Sequence, residues 1–172
     1  WLQAIQNEMN VMKKHKVFSE VGRNSIPTNR ALARVALLLC RKRCGKAKAR
    51  LVLLGNRVLP DEDVFSGVAN QSTSRSLLAI SAFKNYRQVS IDIEAAYLNA
   101  TFPEGYKPYC IAPPGAIGDS ENSDSSDVFW RIDRALYGHP LSAKIWAEKL
   151  KSILVSIGFK PCTTDSSLYM KV

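Results

Sequence analysis

Asp92 is the side chain whose type and position are best suited to chemistry. It lies in residues 89–94, where apolar and polar side chains alternate, and this period of two predicts a β-strand. The next four residues contain neither glycine nor proline and could begin a helical turn. A carboxylate at the exposed end of a strand offers hard oxygen ligands to Mg²⁺ and leaves room for water and phosphate. An aspartate there could instead form a turn or cap a helix, so the residue type alone leaves both roles open.

A second candidate group consists of cations on a predicted β-hairpin. Residues 34–40 predict a buried strand, residues 41–46 a strongly basic turn, and residues 46–54 another strand. Gly45 is the turn residue most tolerant of a positive φ. The cations that share one face of the second strand are Lys46, Lys48 and Arg50. They could bind phosphate oxygens or a triphosphate, or they could keep an edge strand from pairing with other chains.

The overall charge favours an anionic partner. The sequence has 172 residues, 24 of them Lys or Arg against 15 Asp or Glu, which gives a net charge of +9 and a pI near 9.5. Such a balance is typical of proteins that bind nucleic acid. The length suits one domain or a piece of a larger one. Because the first residue is Trp1 rather than Met, we expect an excerpt from a longer reading frame.

Several classes of protein are disfavoured by the composition. The four cysteines have no neighbouring histidines and no signal peptide, so neither a disulfide framework nor a zinc site is predicted. We expect reduced thiols in an intracellular protein. The longest apolar run falls well short of the roughly 20 residues of a membrane span, and no membrane partner is expected.

The remaining segments predict the elements that would position these groups. The predicted helices are an opening one with Trp1, Ile5, Met9 and Met12 on its apolar face, one capped by Ser72 or Thr73 with Leu77, Leu78, Ile80 and Phe83, and one over residues 142–157 that stops at Gly158. Further strands are predicted at residues 128–132 and 167–172. The polar residues 116–127 predict a mobile loop.

Taken in order, these segments resemble the reverse transcriptase domain of Ty1/copia-type retrotransposon polyproteins. The resemblance rests on an ordered set of motifs over nearly the whole chain, because each motif alone is weak. These motifs are the Trp1 helix with Ala4 and Glu8; Lys48-Ala49-Arg50-Leu51-Val52 and Gly55; Phe65 and Val68; Arg75-Ser76-Leu77-Leu78-Ala79; Asp92-Ile93-Glu94-Ala95-Ala96-Tyr97-Leu98-Asn99-Ala100; Glu104 and Pro114-Gly115; Leu136-Tyr137-Gly138 and Trp146; and Gly158-Phe159, Asp165 and Leu168-Tyr169.

The resemblance implies an α+β fold of the right-hand polymerase type, with an antiparallel sheet and packed helices. Residues 1–85 would be fingers-like and residues 86–172 part of a palm. The implied activity is Mg²⁺-dependent addition of deoxynucleotides to a primer on an RNA or DNA template. The implied location is a cytoplasmic particle or the nucleus.

The resemblance also implies roles for individual residues. Asp92 would bridge two metal ions, and the carbonyl of Ile93 would add a ligand. Lys48 and Arg50 would lie near the triphosphate, and Tyr97 would lie beneath the incoming sugar unless it is a core residue. The cations that would contact nucleic acid are Arg41, Lys42, Arg43 and Lys46.

The sequence departs from the family pattern in three places, one of which is residues 33–39, where the family's Trp-Val-Phe-Lys type of strand before the hairpin is not found. The family's paired aspartates, preceded by an aromatic residue and one further residue, do not occur in it. After Tyr137-Gly138 the family continues Leu-Lys-Gln, whereas this sequence continues with His139 and Pro140. We therefore expect a polymerase segment that is catalytic only with the remaining palm, thumb and RNase H parts of a polyprotein. The alternatives are a non-catalytic fragment that binds nucleic acid through the basic hairpin and a remnant that folds poorly.

Overall fold

The computed structural model describes residues 1–28, 30, 32–55, 64–103, 105–113 and 128–171. In these ranges the helices are α1 (Leu2–Lys14), α2 (Gln71–Phe83) and α3 (Ser142–Ser156). The strands are β1 (Phe18–Val21), β2 (Leu32–Arg41), β3 (Ala47–Leu54), β4 (Tyr109–Ile111), β5 (Phe129–Ile132), β6 (Lys160–Pro161) and β7 (Tyr169–Met170). This content confirms the α+β class.

Five strands form one sheet in the order β1-β5-β4-β2-β3. The prediction of an antiparallel sheet is wrong at one junction, since β2 and β4 are parallel, with Leu32 opposite Tyr109. Parallel neighbours need a long crossover connection, and the chain between β2 and β4 supplies one that includes β3 and α2. The sheet is therefore mixed.

The predicted hairpin is present as β2 and β3. Its register runs from Arg34 opposite Leu54 to Arg41 opposite Ala47, and Gly45 has a φ of 80° in the connecting turn. The expectation of a buried first strand is wrong in its distal half, where Leu38 keeps 54% of its surface exposed. That half pairs with β3 alone among the described strands, so it is not covered by the body of the sheet.

The core lies where α1 packs against β3 and β5. Met9 and Met12 of α1 are buried with Leu51 of β3 and Trp130 of β5, which confirms the predicted opening helix. Burial of such side chains contributes about 1.5 to 3 kcal/mol each. Glu8 also accepts a hydrogen bond from the Leu51 amide at 3.0 Å, so a polar contact fixes α1 along β3.

The outer edge of β3 is covered by groups other than a strand. Because β3 is the last strand of the sheet, its outward backbone groups need other partners. The Leu51 amide donates to Glu8, and the Leu53 amide donates to the carbonyl oxygen of Tyr137 at 2.8 Å. The chain around Tyr137 is thereby held against β3.

The predicted strand around Asp92 is not formed. Residues 86–93 have no regular structure, and the side chains of Val89 and Ile91 are 71% and 83% exposed. A strand needs a neighbour to accept its backbone hydrogen bonds, and no described strand pairs with this segment. The apolar side chains of this alternating segment therefore do not pack on one face of a described sheet.

The two later helices form as predicted but bury little. Helix α2 is capped by Asn70, whose side chain accepts from the Ser72 amide at 3.0 Å, rather than by Ser72 or Thr73. None of its residues is buried, and Phe83 is 85% exposed, so the prediction of a packed helix is wrong for α2. Helix α3 ends just before Gly158, which has a φ of 93°.

The last predicted elements are shorter than expected or lie outside the described ranges. Strand β5 confirms the strand predicted at residues 128–132, and β7 forms within residues 167–172 and pairs with β6. The predicted mobile loop at residues 116–127 lies outside the described residues. Within the described ranges, no helix combines the length and apolarity that crossing a membrane requires.

Candidate functional site

Tyr137 joins two of the predicted site residues. The Arg50 guanidinium lies 5.5 Å from the centroid of the Tyr137 ring, and the Tyr97 ring lies 5.0 Å from the same ring at a tilt of 48°. Arg50 is exposed on β3, whereas its neighbours Ala49 and Leu51 are buried. The alternation of β3 therefore directs the guanidinium away from the core and onto the tyrosine.

Two glycines permit this approach. Gly138 has a φ of 85°, and a Cβ atom there would lie 2.1 Å from the carbonyl oxygen of Leu53. A Cβ on Gly55 would lie 2.3 Å from the carbonyl oxygen of Gly138. Neither position accepts a larger residue without moving backbone. The close contact of β3 with the chain after β5 sets the position of Tyr137, a residue for which the sequence motif Leu136-Tyr137-Gly138 indicates no role of its own.

Asn99 organises the turn between Asp92 and Tyr97. Ala95 has a φ of 48° and a ψ of 41°, a left-handed conformation that costs a non-glycine residue about 1 to 2 kcal/mol. The Asn99 side-chain amide donates to the carbonyl oxygens of Glu94 and Ala95 at 3.3 and 3.2 Å. The chain then forms the 3₁₀ turn Ala96–Asn99. Apart from an Asn at the end of the turn, nothing in the sequence indicates this role.

The Tyr97 ring lies between the Tyr137 ring and an open cavity. It is half-buried and is not a core residue. A cavity of about 410 Å³ lies beside it and is lined by Trp146 and Lys151 of α3 and by Tyr169 of β7. The Tyr97 ring can therefore contact a molecule from this side while it rests on Tyr137.

Asp92 and Ile93 are accessible but do not complete a metal site. Both residues are exposed, and the described residues contain no group of three or more His, Cys, Asp or Glu side chains able to hold a metal ion. A two-metal site of the predicted kind needs several carboxylates close together. The described donor set therefore does not fit two Mg²⁺ ions.

The predicted nucleic-acid contacts all lie at the tip of the hairpin. Arg41, Lys42, Arg43 and Lys46 are exposed. The Arg41 guanidinium donates to the Gly45 carbonyl at 3.3 Å and lies 5.8 Å from the Trp1 ring centroid. Lys42, Lys46 and Lys48 border a shallow cavity of about 180 Å³ beside α1. Lys48 thus lies beside the basic turn, whereas Arg50 lies on Tyr137.

His139 is buried at the place where the family has a different sequence. It is 4% exposed, its Nδ1 accepts from the Leu141 amide at 3.1 Å, and its Nε2 lies 3.3 Å from the Tyr106 hydroxyl. Burial lowers the pKa of His139 from 6.5 to about 4, so the ring is neutral near pH 7. It fixes the turn after Gly138 and supplies no positive charge for a phosphate.

The comparisons with known proteins agree with this arrangement of motifs. Residues 25–172 match the family model described as reverse transcriptase (RNA-dependent DNA polymerase). The chain is 28% identical over 126 residues to the retrovirus-related Pol polyprotein from transposon RE2 of Arabidopsis thaliana, covering 72% of this chain and 8% of that polyprotein. It is 29% identical over 161 residues to the transposon Ty1-ER2 Gag-Pol polyprotein of Saccharomyces cerevisiae, covering 90% of this chain and 9% of the polyprotein. The chain thus spans less than a tenth of the length of these curated relatives.

Proposed function

Since the chain belongs to the reverse transcriptase (RNA-dependent DNA polymerase) family, we propose that it is the part of a copia-type reverse transcriptase that holds the primer-template and the incoming deoxynucleotide. Polymerisation would require further parts of the same polyprotein. The observation that carries this proposal is the cluster of Arg50, Tyr137 and Tyr97, which joins the basic hairpin to the turn that follows Asp92.

The cluster has the chemistry that a nucleotide needs. Arg50 is a cation with a planar group of donors suited to phosphate oxygens, and Lys48 lies two residues away on the same strand. Tyr97 offers a flat, partly exposed ring against which a sugar could rest. In this assignment Tyr137 positions Arg50 and Tyr97 relative to each other and need not contact the nucleotide.

The basic turn would hold the nucleic acid strands. Arg41, Lys42, Arg43 and Lys46 are exposed at one end of the hairpin, where they can reach phosphates without reading base sequence. If all four cations of this turn contact phosphates, they would contribute about −3.6 to the slope of log K against log salt concentration.

Divalent metal use is suggested by the family, and this chain would contribute only part of the site. We propose the Asp92 carboxylate and the Ile93 carbonyl as that part. Since the described residues lack the other carboxylates, no step of the reaction is assigned to this chain alone. An intracellular site of action, in a cytoplasmic particle or the nucleus, is what the role would require.

The test is primer extension with Mg²⁺ by the longest polyprotein frame that contains this chain. Asp92→Asn removes a proposed metal ligand and keeps the size of the side chain, so we expect extension to fall at least about 100-fold. Binding of the primer-template should change less than about twofold, since Asp92 is not among the cations. Glu94→Gln, two residues along the chain, is the matched control and should retain extension. Equal activity of Asp92→Asn and the unmodified protein would overturn the assignment of Asp92.

A second function is favoured by one observation, the lack of a metal cluster in the described residues. A non-catalytic protein that binds nucleic acid through the basic turn would bind a primer-template with strong salt dependence. It would show no extension in any frame that contains it. Binding without extension, in a preparation whose nucleic-acid affinity depends on Lys42, Arg43 and Lys46, would favour this alternative.

A further inference from the structure

A cleft of about 670 Å³ lies beside the chain that follows α1. It is bounded by the turn after α1, by β5, by residues 101–103 with Lys107, and by α3. The charged residues that line it are Lys16, Lys107, Arg131, Arg134, Asp133 and Glu148. Among the lining residues that the structure describes, four cations and two carboxylates give a net charge of +2.

Asp133 orders one wall of the cleft. Its carboxylate accepts from the Ser19 hydroxyl at 2.6 Å and from Arg131 Nε at 2.8 Å, and Lys107 Nζ lies 3.5 Å away. Although burial opposes ionisation, these hydrogen bonds and charges lower the pKa of Asp133 below its usual value. The carboxylate is thus charged at neutral pH and already engaged by groups of the protein. It orients Arg131 and Lys107 along the wall.

Lys16 and Arg134 are brought to the cleft by backbone contacts. The Arg134 amide and the Asp133 amide both donate to the carbonyl oxygen of Val17, at 3.3 and 2.8 Å. Lys16 precedes Val17 and has a φ of 50°, a conformation that non-glycine residues adopt at a cost. Among the described residues, neither Lys16 nor Arg134 lies within ion-pair distance of a carboxylate. Both cations therefore line the cleft without an ion pair among the described residues.

The cleft and the basic turn lie at opposite ends of α1. Trp1, at the start of the helix, contacts Arg41 of the turn, whereas Lys16 follows the helix end by two residues. A helix of 13 residues spans about 20 Å. That distance corresponds to about six base pairs of duplex, at about 3.4 Å for each base pair.

We propose that this cleft binds phosphodiester groups of nucleic acid through Lys16 and Arg134, as a second contact separate from the basic turn. The inference rests on the proposed function, because it takes nucleic acid to be the partner. Arg131 and Lys107 extend the positive wall, and Glu148 limits the site on the α3 side. In this proposal Lys16 and Arg134 contact phosphate oxygens, which carry no sequence information, so the contact is independent of sequence.

The test compares two double variants of the 172-residue chain in binding a fluorescent primer-template duplex over a range of salt concentrations. Lys16→Asn with Arg134→Gln removes the two cleft cations; asparagine tolerates the left-handed conformation at position 16. Arg75→Gln with Lys160→Gln is the control, because both residues are exposed cations elsewhere and the change in net charge is the same. We expect the cleft variant to bind about tenfold more weakly at low salt, with a salt slope smaller by about 1.8. The control should change affinity less than about twofold.

The outcomes separate this inference from the function on which it rests. A chain that does not bind the duplex at all would overturn the proposed function. If the duplex binds, and Lys42→Gln, Arg43→Gln and Lys46→Gln weaken it while the cleft variant does not, only the cleft is rejected. The proposal would also be rejected if the cleft variant lost affinity for free deoxynucleotide but not for the duplex, since the site would then bind a small phosphate. A thermal transition within 2 °C of the unmodified chain would establish that the cleft variant is folded.

Discussion

The region of α1, β3 and β5 and the segment from α2 through Ile93 both carry large apolar side chains, which are buried in the first and exposed in the second. Leu51 of β3 has 0% of its surface exposed, whereas Ile91 keeps 83% exposed. Both lie in runs of alternating residues. The difference lies in what covers them, because β3 has β2 on one edge and α1 and Tyr137 on the other. No described element of comparable size covers the segment before Ile93.

An alternating residue pattern becomes a strand only where partners exist for its backbone groups. Residues 86–93 have the period of a strand but lack a described neighbour to pair with. Helix α2 is likewise amphipathic and forms from local contacts, yet it buries none of its residues. A helix satisfies its own backbone, so it can form without cover, whereas an isolated strand cannot.

The largest difference in stability is expected when one apolar side chain of each region is shortened to alanine. Leu51→Ala should lower the free energy of unfolding by about 2 to 5 kcal/mol, because it leaves a cavity in the core. Ile91→Ala should change it by less than about 0.5 kcal/mol. Urea unfolding followed by circular dichroism measures both. Equal losses would show that residues 86–93 are covered in solution, and the contrast between the two regions would be wrong.

A smaller, pH-dependent effect on stability is expected from His139, which is buried. Its pKa is about 4 in the folded chain and about 6.5 in an unfolded one. The unfolded chain then binds more protons between these values, so stability is full above about pH 6.5 and falls by about 1.4 kcal/mol per pH unit as the pH drops towards about 4. Unfolding measured at pH 7.0, 6.0 and 5.0 should follow this slope.

A substitution of His139 provides the control for that measurement. His139→Gln removes the buried titrating ring and should flatten the dependence of stability on pH. A slope that is unchanged in His139→Gln would contradict the assignment of this pH dependence to His139.

The smallest effect is expected at Ala95, where the two regions meet. Ala95→Gly relieves a φ of 48° and should stabilise the chain by about 0.5 kcal/mol after the entropy cost of glycine. Ala96→Gly, next in the chain and in the 3₁₀ turn, should destabilise it by about 0.5 to 1 kcal/mol. Opposite signs in a thermal unfolding experiment would confirm the strained turn, and equal signs would contradict it.

Much of the local structure was predictable from particular residues. The spacing of Met9 and Met12 predicted α1, and Gly45 with the alternation of residues 46–54 predicted the hairpin and its turn. Gly158 marked the end of α3. Each of these features depends on residues within a few positions of one another, so the sequence carries the information locally.

The candidate site was predictable only in part. Arg50 and Tyr97 were identified through motifs, and their roles stay predictions, but no sequence signal placed Tyr137 between them. That contact depends on Gly55 and Gly138, which are far apart in the chain and whose backbones must pass within a few ångströms. The contact of Glu8 with the Leu51 amide was missed for the same reason. The contact of Asn99 with Ala95 is local and was missed because an Asn at that position does not by itself predict a left-handed residue before it.

By itself the sequence determined the family, the positive charge, the hairpin and the helices, because motif order, composition and short-range periodicity do not depend on which distant residues meet. The tertiary structure decided that β2 and β4 run parallel, that Arg50 and Tyr97 share Tyr137, and that the segment around Asp92 is exposed and irregular. Each of these depends on contacts across many tens of residues. The neighbours that folding brings together decide whether an alternating sequence forms a strand. They also decide whether a carboxylate becomes part of a metal site.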